Sequence, residues 1–325
     1  MGVQLNRREA LLASLAAIGA ARASRALGQE ALPPILPATN VRLLFYNTHL
    51  LPGIAQSLAG RRGQDDYRTA AIAGNLHRYD LIGLCEVFES DRRRQIIDIA
   101  QQNARSGFRA IEQPKPRGRH LVGSGLMLLS RYPIEGEPHF LTYNHASRVL
   151  TTGWKADGLA AKGAIHARLR VREYPVAYAD CFLTHLESVS APARAEQIKE
   201  LAGFIAEHAS LDRPAILMGD LNVGADFPTG GNADTEYLRL ANSLVSGEQR
   251  LVDLWPIFHA GRGGTSDALA HENCRRIDYV FISPPQLSGP TLEPLSIRVE
   301  PFLDEKVKQG SLSDHAALEC TFALR

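Results

Sequence analysis

The residues able to do chemistry in this 325-residue chain sit where apolar runs stop. The run VRLLFYN closes at Asn47, with His49 close behind, and DLIGLCE closes at Glu86. VAYADCFLTH closes at His185, AILMGD closes at Asp220 with Asn222 following, and Ser313-Asp314-His315 precedes the last apolar run. A carboxylate at the end of a buried strand is costly unless a cation or a hydrogen-bond donor pairs with it. Several such ends on one sheet edge would share a pocket. A donor set dominated by oxygen, with only a few carboxylates, suits Mg²⁺ better than Zn²⁺. Singly, each residue has a plainer reading: Glu86 as a helix-terminal acid, Asp220 and Asn222 as turn formers, His185 as a hydrogen-bonded core histidine, Asp314 as a cap. Their joint occurrence is what favours a site.

The elements that must position them follow from periodicity. β-rich runs predict strands over 41–47, 80–86, 125–130, 160–170, 177–184, 215–220, 277–283 and 316–322. Helical spacing predicts helices over 64–79, about 92–105 behind a Ser90-Asp91 cap, 191–209 and 234–245. Strands alternate with helices, yet several strands follow one another directly. That mixture implies mixed sheets with helices outside, rather than one doubly wound parallel sheet. There is no internal repeat and no low-complexity segment, so one domain over 41–325 is expected.

Composition excludes several classes. The chain is 45% hydrophobic and 22% charged, ordinary values for a globular protein. Lys plus Arg is 36 against 35 Asp plus Glu, so bulk affinity for nucleic acid is not expected. At the N-terminus Arg7-Arg8 precedes ALLASLAAIGAA, too short to span a bilayer but fitting the apolar stretch of an export signal. Small-residue cleavage sites follow, so residues 1–26 are expected to be a leader resembling a twin-arginine signal, with Ala10 where Phe is common. Residues 27–40, which include LPPILP, form a stiff linker. Removing the leader takes away four arginines and one glutamate and leaves a slightly acidic mature chain, expected in the periplasm or secreted. Cys85, Cys181 and Cys320 lie in apolar runs and read as buried thiols, although export would permit one disulfide.

The ordered motifs YNTH, LCEVF, SGLMLLSRYPI, THLES, GDLN, RIDYVFIS and SDHA span residues 46 to 316. In this order they resemble the endonuclease/exonuclease/phosphatase superfamily. The resemblance implies an α+β fold, a four-layer α/β/β/α sandwich of two packed mixed β-sheets with outer helices, and Mg²⁺-dependent hydrolysis of phosphate esters. Within it the chain resembles the neutral sphingomyelinase (sphingomyelinase C) branch. Leu50-Leu51-Pro52, Glu86-Val87-Phe88, the Asp157-x4-Lys162-Gly163 loop and Asp234-Thr235-Glu236-Tyr237 after GDLN carry that likeness.

The resemblance implies roles. Glu86, with Asn47 and Asp314, would hold one or two Mg²⁺ ions, for which Mn²⁺ or Co²⁺ could substitute. His315 would be the general base, since imidazole titrates near neutral pH, and Asp278 would orient it. Asp220 and Asn222 would position water and phosphate, and His185 would donate to a phosphate oxygen. Lys162, Asp157 and Phe88 would contact substrate. The implied reaction is hydrolysis of sphingomyelin to ceramide and phosphocholine by in-line attack of water. Its partners would be a phospholipid or other phosphodiester substrate, with peripheral membrane contact, in a monomer without stable nucleic-acid binding. Bacterial members carry an aromatic membrane-inserting hairpin before SDH. Here residues 283–313 contain no Trp and only Phe302, so another phospholipid, DNA or an inositol phosphate remains open as substrate. An inactive lipid- or protein-binding module is the alternative of another class, but a binding module has no reason to keep costly buried carboxylates.

Overall fold

A computed structural model describes residues 39–52, 64–103, 107–116, 122–146, 160–225, 235–246, 249–270, 274–283 and 289–325. The expected leader, most of the linker, Asp157 and Asp234 lie outside the described residues. In chain order the elements are β1 (Thr39–Leu50), α1 (Asp65–Asn75), β2 (Leu81–Val87), α2 (Ser90–Asn103), β3 (Arg109–Glu112) and β4 (Met127–Ser130). Next come β5 (Ile134–Thr142), β6 (Gly163–Glu173), β7 (Val176–His185), α3 (Ala191–His208) and β8 (Ala215–Asp220). The chain continues through α4 (Glu236–Ser246), β9 (Val252–Asp253), α5 (Trp255–Phe258), β10 (Asp278–Ser283), β11 (Leu292–Glu300) and β12 (Ala317–Leu324).

The strands form two six-stranded sheets, in the orders β11-β12-β1-β2-β4-β3 and β5-β6-β7-β8-β10-β9. Each has one parallel pair at its centre, β1 with β2 and β7 with β8, flanked by antiparallel neighbours. The two sheets therefore repeat one pattern of strand directions. Both faces of the central strands are covered, which is why AILMGD and DYVFIS are buried along their whole length.

Leu43, Phe45, Leu183, Met218, Val280 and Leu318 belong to the core between the sheets. The sheets approach most tightly at Gly83, where an added Cβ would lie 2.6 Å from Met218 Sδ and 2.8 Å from Leu183 Cδ1. Outside the first sheet, Ile72 and Leu76 from the α1 region and Ile96 of α2 pack on Leu44, Tyr46 and Ile82. Outside the second, Leu201 and Phe204 of α3 and Leu240 of α4 pack on Phe182 and Leu217. The layers are thus α/β/β/α, as the motif order implied.

The structure differs from the sequence reading at the edges. β3, β5, β9 and β11 were not expected. β5 and β11 are edge strands that contain Pro138 and Pro294; β5 mixes half-buried with exposed positions and β11 buries only Leu292 and Ile297, so they lack both apolar alternation and a full set of ladder donors. Ser90 is the first residue of α2 rather than its cap. Cys85, Cys181, Cys274 and Cys320 are all free thiols. Among the described residues no helix is long and apolar enough to cross a membrane.

Candidate active site

The C-terminal ends of both parallel pairs face the same cleft. Asn47 comes from β1, Glu86 from β2, His185 from β7 and Asp220 from β8. Antiparallel neighbours start where these strands stop, so they deliver their first residues to the same place. Asp278, opening β10, is registered against Asp220, and Gly163, just after Lys162, is registered against His185. His315 lies just before β12, the antiparallel neighbour of β1. Ligand crevices in sheets with parallel strands form at these carboxyl ends.

The backbone leaves the sheets abruptly. His49, Glu86 and Asn222 have left-handed φ values of 48°, 61° and 52°. For a non-glycine residue such strain costs of order 1–3 kcal/mol and persists where surrounding contacts enforce it. Gly125, at φ 71°, makes room: a Cβ there would sit 3.0 Å from the Glu86 Cα, and the Val87 N–H donates to the Gly125 carbonyl at 3.0 Å. The glycine in the SGLMLLS motif therefore supports the backbone that carries Glu86.

Asn47 joins the two sheets. Its Nδ2 donates to Glu86 Oε1 at 3.2 Å and to Asp220 Oδ2 at 3.0 Å, while its Oδ1 accepts the His49 N–H at 3.1 Å. Asp220 Oδ1 accepts the Asn222 N–H at 3.0 Å. The Asn222 side chain donates to the Leu186 carbonyl at 3.0 Å, tying the GDLN turn to the end of β7. Lys162, almost wholly buried, places Nζ 2.8 Å from His185 Nε2. That same His185 nitrogen lies 3.6 Å from Asp220 and 3.9 Å from Glu86.

His315 and Asp278 form the base pair of the site. His315 Nδ1 is 3.0 Å from Asp278 Oδ2, and Nε2 turns toward Asp220 at 3.9 Å. Burial alone would pull the imidazole down. The Asp278 charge and hydrogen bond outweigh it and hold His315 well above its ordinary value. Burial pushes the Asp220 carboxyl up, and the neighbouring Asp278 carboxylate pushes it further, to about 7, against the pull of His315, Asn47 and Lys162.

The Asp314 carboxylate pairs with His49 Nδ1. Phe88 is half-buried one residue beyond β2 and has no polar group to add. Asp157 lies outside the described residues.

The sequence reading missed the residues that hold these loops in place. Arg68, wholly buried on α1, donates to the carbonyls of Thr48 at 2.6 Å, His49 at 3.2 Å and Leu312 at 2.7 Å, and pairs with Asp65 at 2.7 Å. It thereby clamps the end of β1 to the loop carrying His315. Ser313 Oγ donates to the Asn47 carbonyl at 2.8 Å and accepts the His315 N–H at 3.2 Å. Thr265 Oγ1 accepts the N–H groups of Ile277 and Asp278, each at 3.2 Å. The only signal for Arg68 was its i,i+3 spacing from Asp65, which does not tell a buried clamp from a surface pair.

The donors fit a hard divalent cation. Asp278 Oδ1 is buried without a hydrogen-bond partner. Ligand atoms of Asp220, Asp278 and His315 lie within 4.8 Å of one another. Glu86 is half-buried, within hydrogen-bond reach of Asn47. Buried carboxylates this close are stabilised by positive charge, which a divalent cation would add to that of His315 and Lys162, and oxygen donors favour Mg²⁺-like ions.

Comparison with known proteins agrees with the architecture. The profile described as the Endonuclease/Exonuclease/phosphatase family matches residues 40–315, and the chain belongs to that family. A sphingomyelinase of Dictyostelium discoideum is 27% identical over 223 residues, covering 57% of this chain and 46% of the relative. Sphingomyelinase C 2 of Leptospira interrogans is 23% identical over 274 residues, covering 79% of this chain and 41% of the relative. The chain thus spans less than half the length of either relative. The structure of a Staphylococcus aureus beta toxin variant with bound magnesium ions superposes with a TM-score of 0.60 at 17% identity, covering 87% of this chain and 99% of the other. At that identity the likeness concerns the fold.

Proposed function

We propose that this member of the endonuclease/exonuclease/phosphatase family is an exported Mg²⁺-dependent phosphodiesterase that hydrolyses sphingomyelin to ceramide and phosphocholine. The observation that carries the hydrolytic part is the His315–Asp278 pair, 3.0 Å apart, facing Asp220 in the cleft that also holds Asn47 and Glu86. The likeness to two sphingomyelinases supports the choice of substrate. The arginine pair and apolar stretch at the N-terminus support export.

Asp278 accepts from His315 Nδ1, so in the neutral ring the opposite nitrogen, Nε2, carries the lone pair that takes a proton from water. The water oxygen bonds to phosphorus in line with the departing alkoxide, and that P–O bond breaks. Asp220, held by Asn47 and the Asn222 N–H, fixes the water and phosphate between the two sheets. Lys162 and His185 set positive charge and a donor beside the carboxylates, where phosphate oxygens would bind. Mg²⁺ held by Glu86 and the neighbouring carboxylates would supply charge neutralisation for the phosphate and the leaving oxygen.

The deciding experiment is phosphocholine release from sphingomyelin in mixed detergent micelles, with Mg²⁺ and with chelator. Micelles bypass membrane insertion and test the pocket itself. Release that stops with chelator is the expected result. Cleavage of bis-p-nitrophenyl phosphate without phosphocholine release would keep the phosphodiesterase and discard the lipid. Inactivity on both would overturn the enzymatic reading. Export is tested by fusing residues 1–40 to a reporter and following it into the periplasm.

A further inference from the structure

A second cluster of metal-binding side chains lies away from the cleft, on the outer face of the second sheet. His139 on β5 is registered directly against His166 on β6, and His208 is the last residue of α3. One ring nitrogen from each lies within 4.8 Å of the others. His166 is three residues along β6 from Gly163, about 10 Å from the cleft at ~3.3 Å per residue.

The centre of the cluster is preset for ligation. His166 is buried, and its Nε2 is 3.1 Å from Asp180 Oδ1. With the proton on Nε2, Nδ1 carries a lone pair, and Nδ1 is buried without a hydrogen-bond partner. A carboxylate on one imidazole nitrogen is the usual support for a metal on the other. Asp180 is itself held by Arg213 Nε at 3.1 Å and the Ser210 N–H at 3.0 Å. Phe182 packs against His166, and Phe204 against His208.

We infer that His139, His166 and His208 form a second metal site, for Zn²⁺ or a similar nitrogen-preferring divalent ion, which ties edge strand β5 to the end of α3. Three imidazoles leave a further position for water, and nitrogen donors discriminate against Mg²⁺. The rings now lie nearly parallel, with centroids 4.1 to 5.6 Å apart and planes within 19°. Ligation therefore turns His139 and His208, which border solvent, while Asp180 keeps His166 fixed. This inference is independent of the substrate of the cleft.

The test is a Zn²⁺ titration of the full chain by calorimetry in saturating Mg²⁺, repeated with Co²⁺ to read its d–d absorption. His139→Ala and His208→Gln are the variants, since both positions border solvent and the fold does not rest on them. Wild type is expected to take one equivalent, and each variant to lose about tenfold or more in affinity together with the Co²⁺ bands. Phosphodiester hydrolysis should be unchanged in both. Zinc binding that the variants leave intact would place the ion elsewhere and overturn the inference. Absence of zinc binding by the wild type would leave the histidines as a packing stack and overturn it equally.

Discussion

Two polar clusters share strand β7 and are built on opposite principles. At its end, His185 joins a cleft of oxygen donors drawn from both sheets. In its middle, Asp180 supports a stack of nitrogen donors drawn from one sheet and its covering helix. The cleft depends on how the sheets pack, because Asn47 and Glu86 reach it from one and Asp220 and Asp278 from the other. The histidine stack depends on the β5–β6 register and the length of α3. The difference teaches that assembly across sheets needs a clamp. Asn47 on Asp220 and His315 on Asp278 supply it across the cleft, Arg68 and Ser313 hold the loops of the first sheet that carry them, and the stack is held by elements already hydrogen-bonded or packed side by side.

The contrast can be broken most sharply at the general base. His315→Ala should lower kcat/KM on a chromogenic phosphodiester by about 10²–10⁴-fold while zinc affinity at the histidine stack stays the same. Glu86→Gln should remove the response of turnover to added Mg²⁺. Arg68→Ala would leave Asp65 buried without its cation and take the guanidinium donor from three carbonyls. Urea unfolding should show a loss of about 3–5 kcal/mol, with activity falling further than the loss of folded protein explains. Asp278→Asn keeps the shape but weakens the hold on His315 Nδ1. A fall in kcat of about 10–100-fold is expected, with KM little changed and the acid limb of the pH profile moved to lower pH.

The smallest effect belongs to the stack. Burial would raise the Asp180 carboxyl, but the His166 hydrogen bond, Arg213 and the Ser210 N–H outweigh it and hold the group below the usual carboxylate range. A carboxyl depressed in the folded state binds its proton more readily when unfolded. Its stabilisation is therefore complete above about pH 4 and is lost as pH falls through the folded value. Thermal melts of Asp180→Asn should consequently show a flatter dependence on pH below about 4 than those of the wild type.

Much of the cleft could be read from the chain because its residues end buried strands. Asn47, Glu86, His185 and Asp220 each close a largely apolar run, and a polar residue there stands out. Asp278 and His315 were found through the motifs RIDYVFIS and SDHA. Edge strands β5 and β11 were missed because half-exposed strands with proline carry neither a continuous apolar run nor clean alternation. Arg68 was missed because a buried arginine and a surface arginine are the same letter, and only its three carbonyl partners distinguish them.

By itself the sequence determined mixed sheets with outer helices and the polar strand ends of the cleft, from where apolar segments begin and end, while the four-layer α/β/β/α plan came from the resemblance of its ordered motifs. Tertiary structure alone decided that Asn47 bridges Glu86 and Asp220, that Asp314 pairs with His49, and that His139, His166 and His208 converge. The physical reason is that local pattern reports which face of an element is buried. Which buried groups meet is set by register between strands and by the packing of one sheet on the other, and those contacts join residues far apart in the chain.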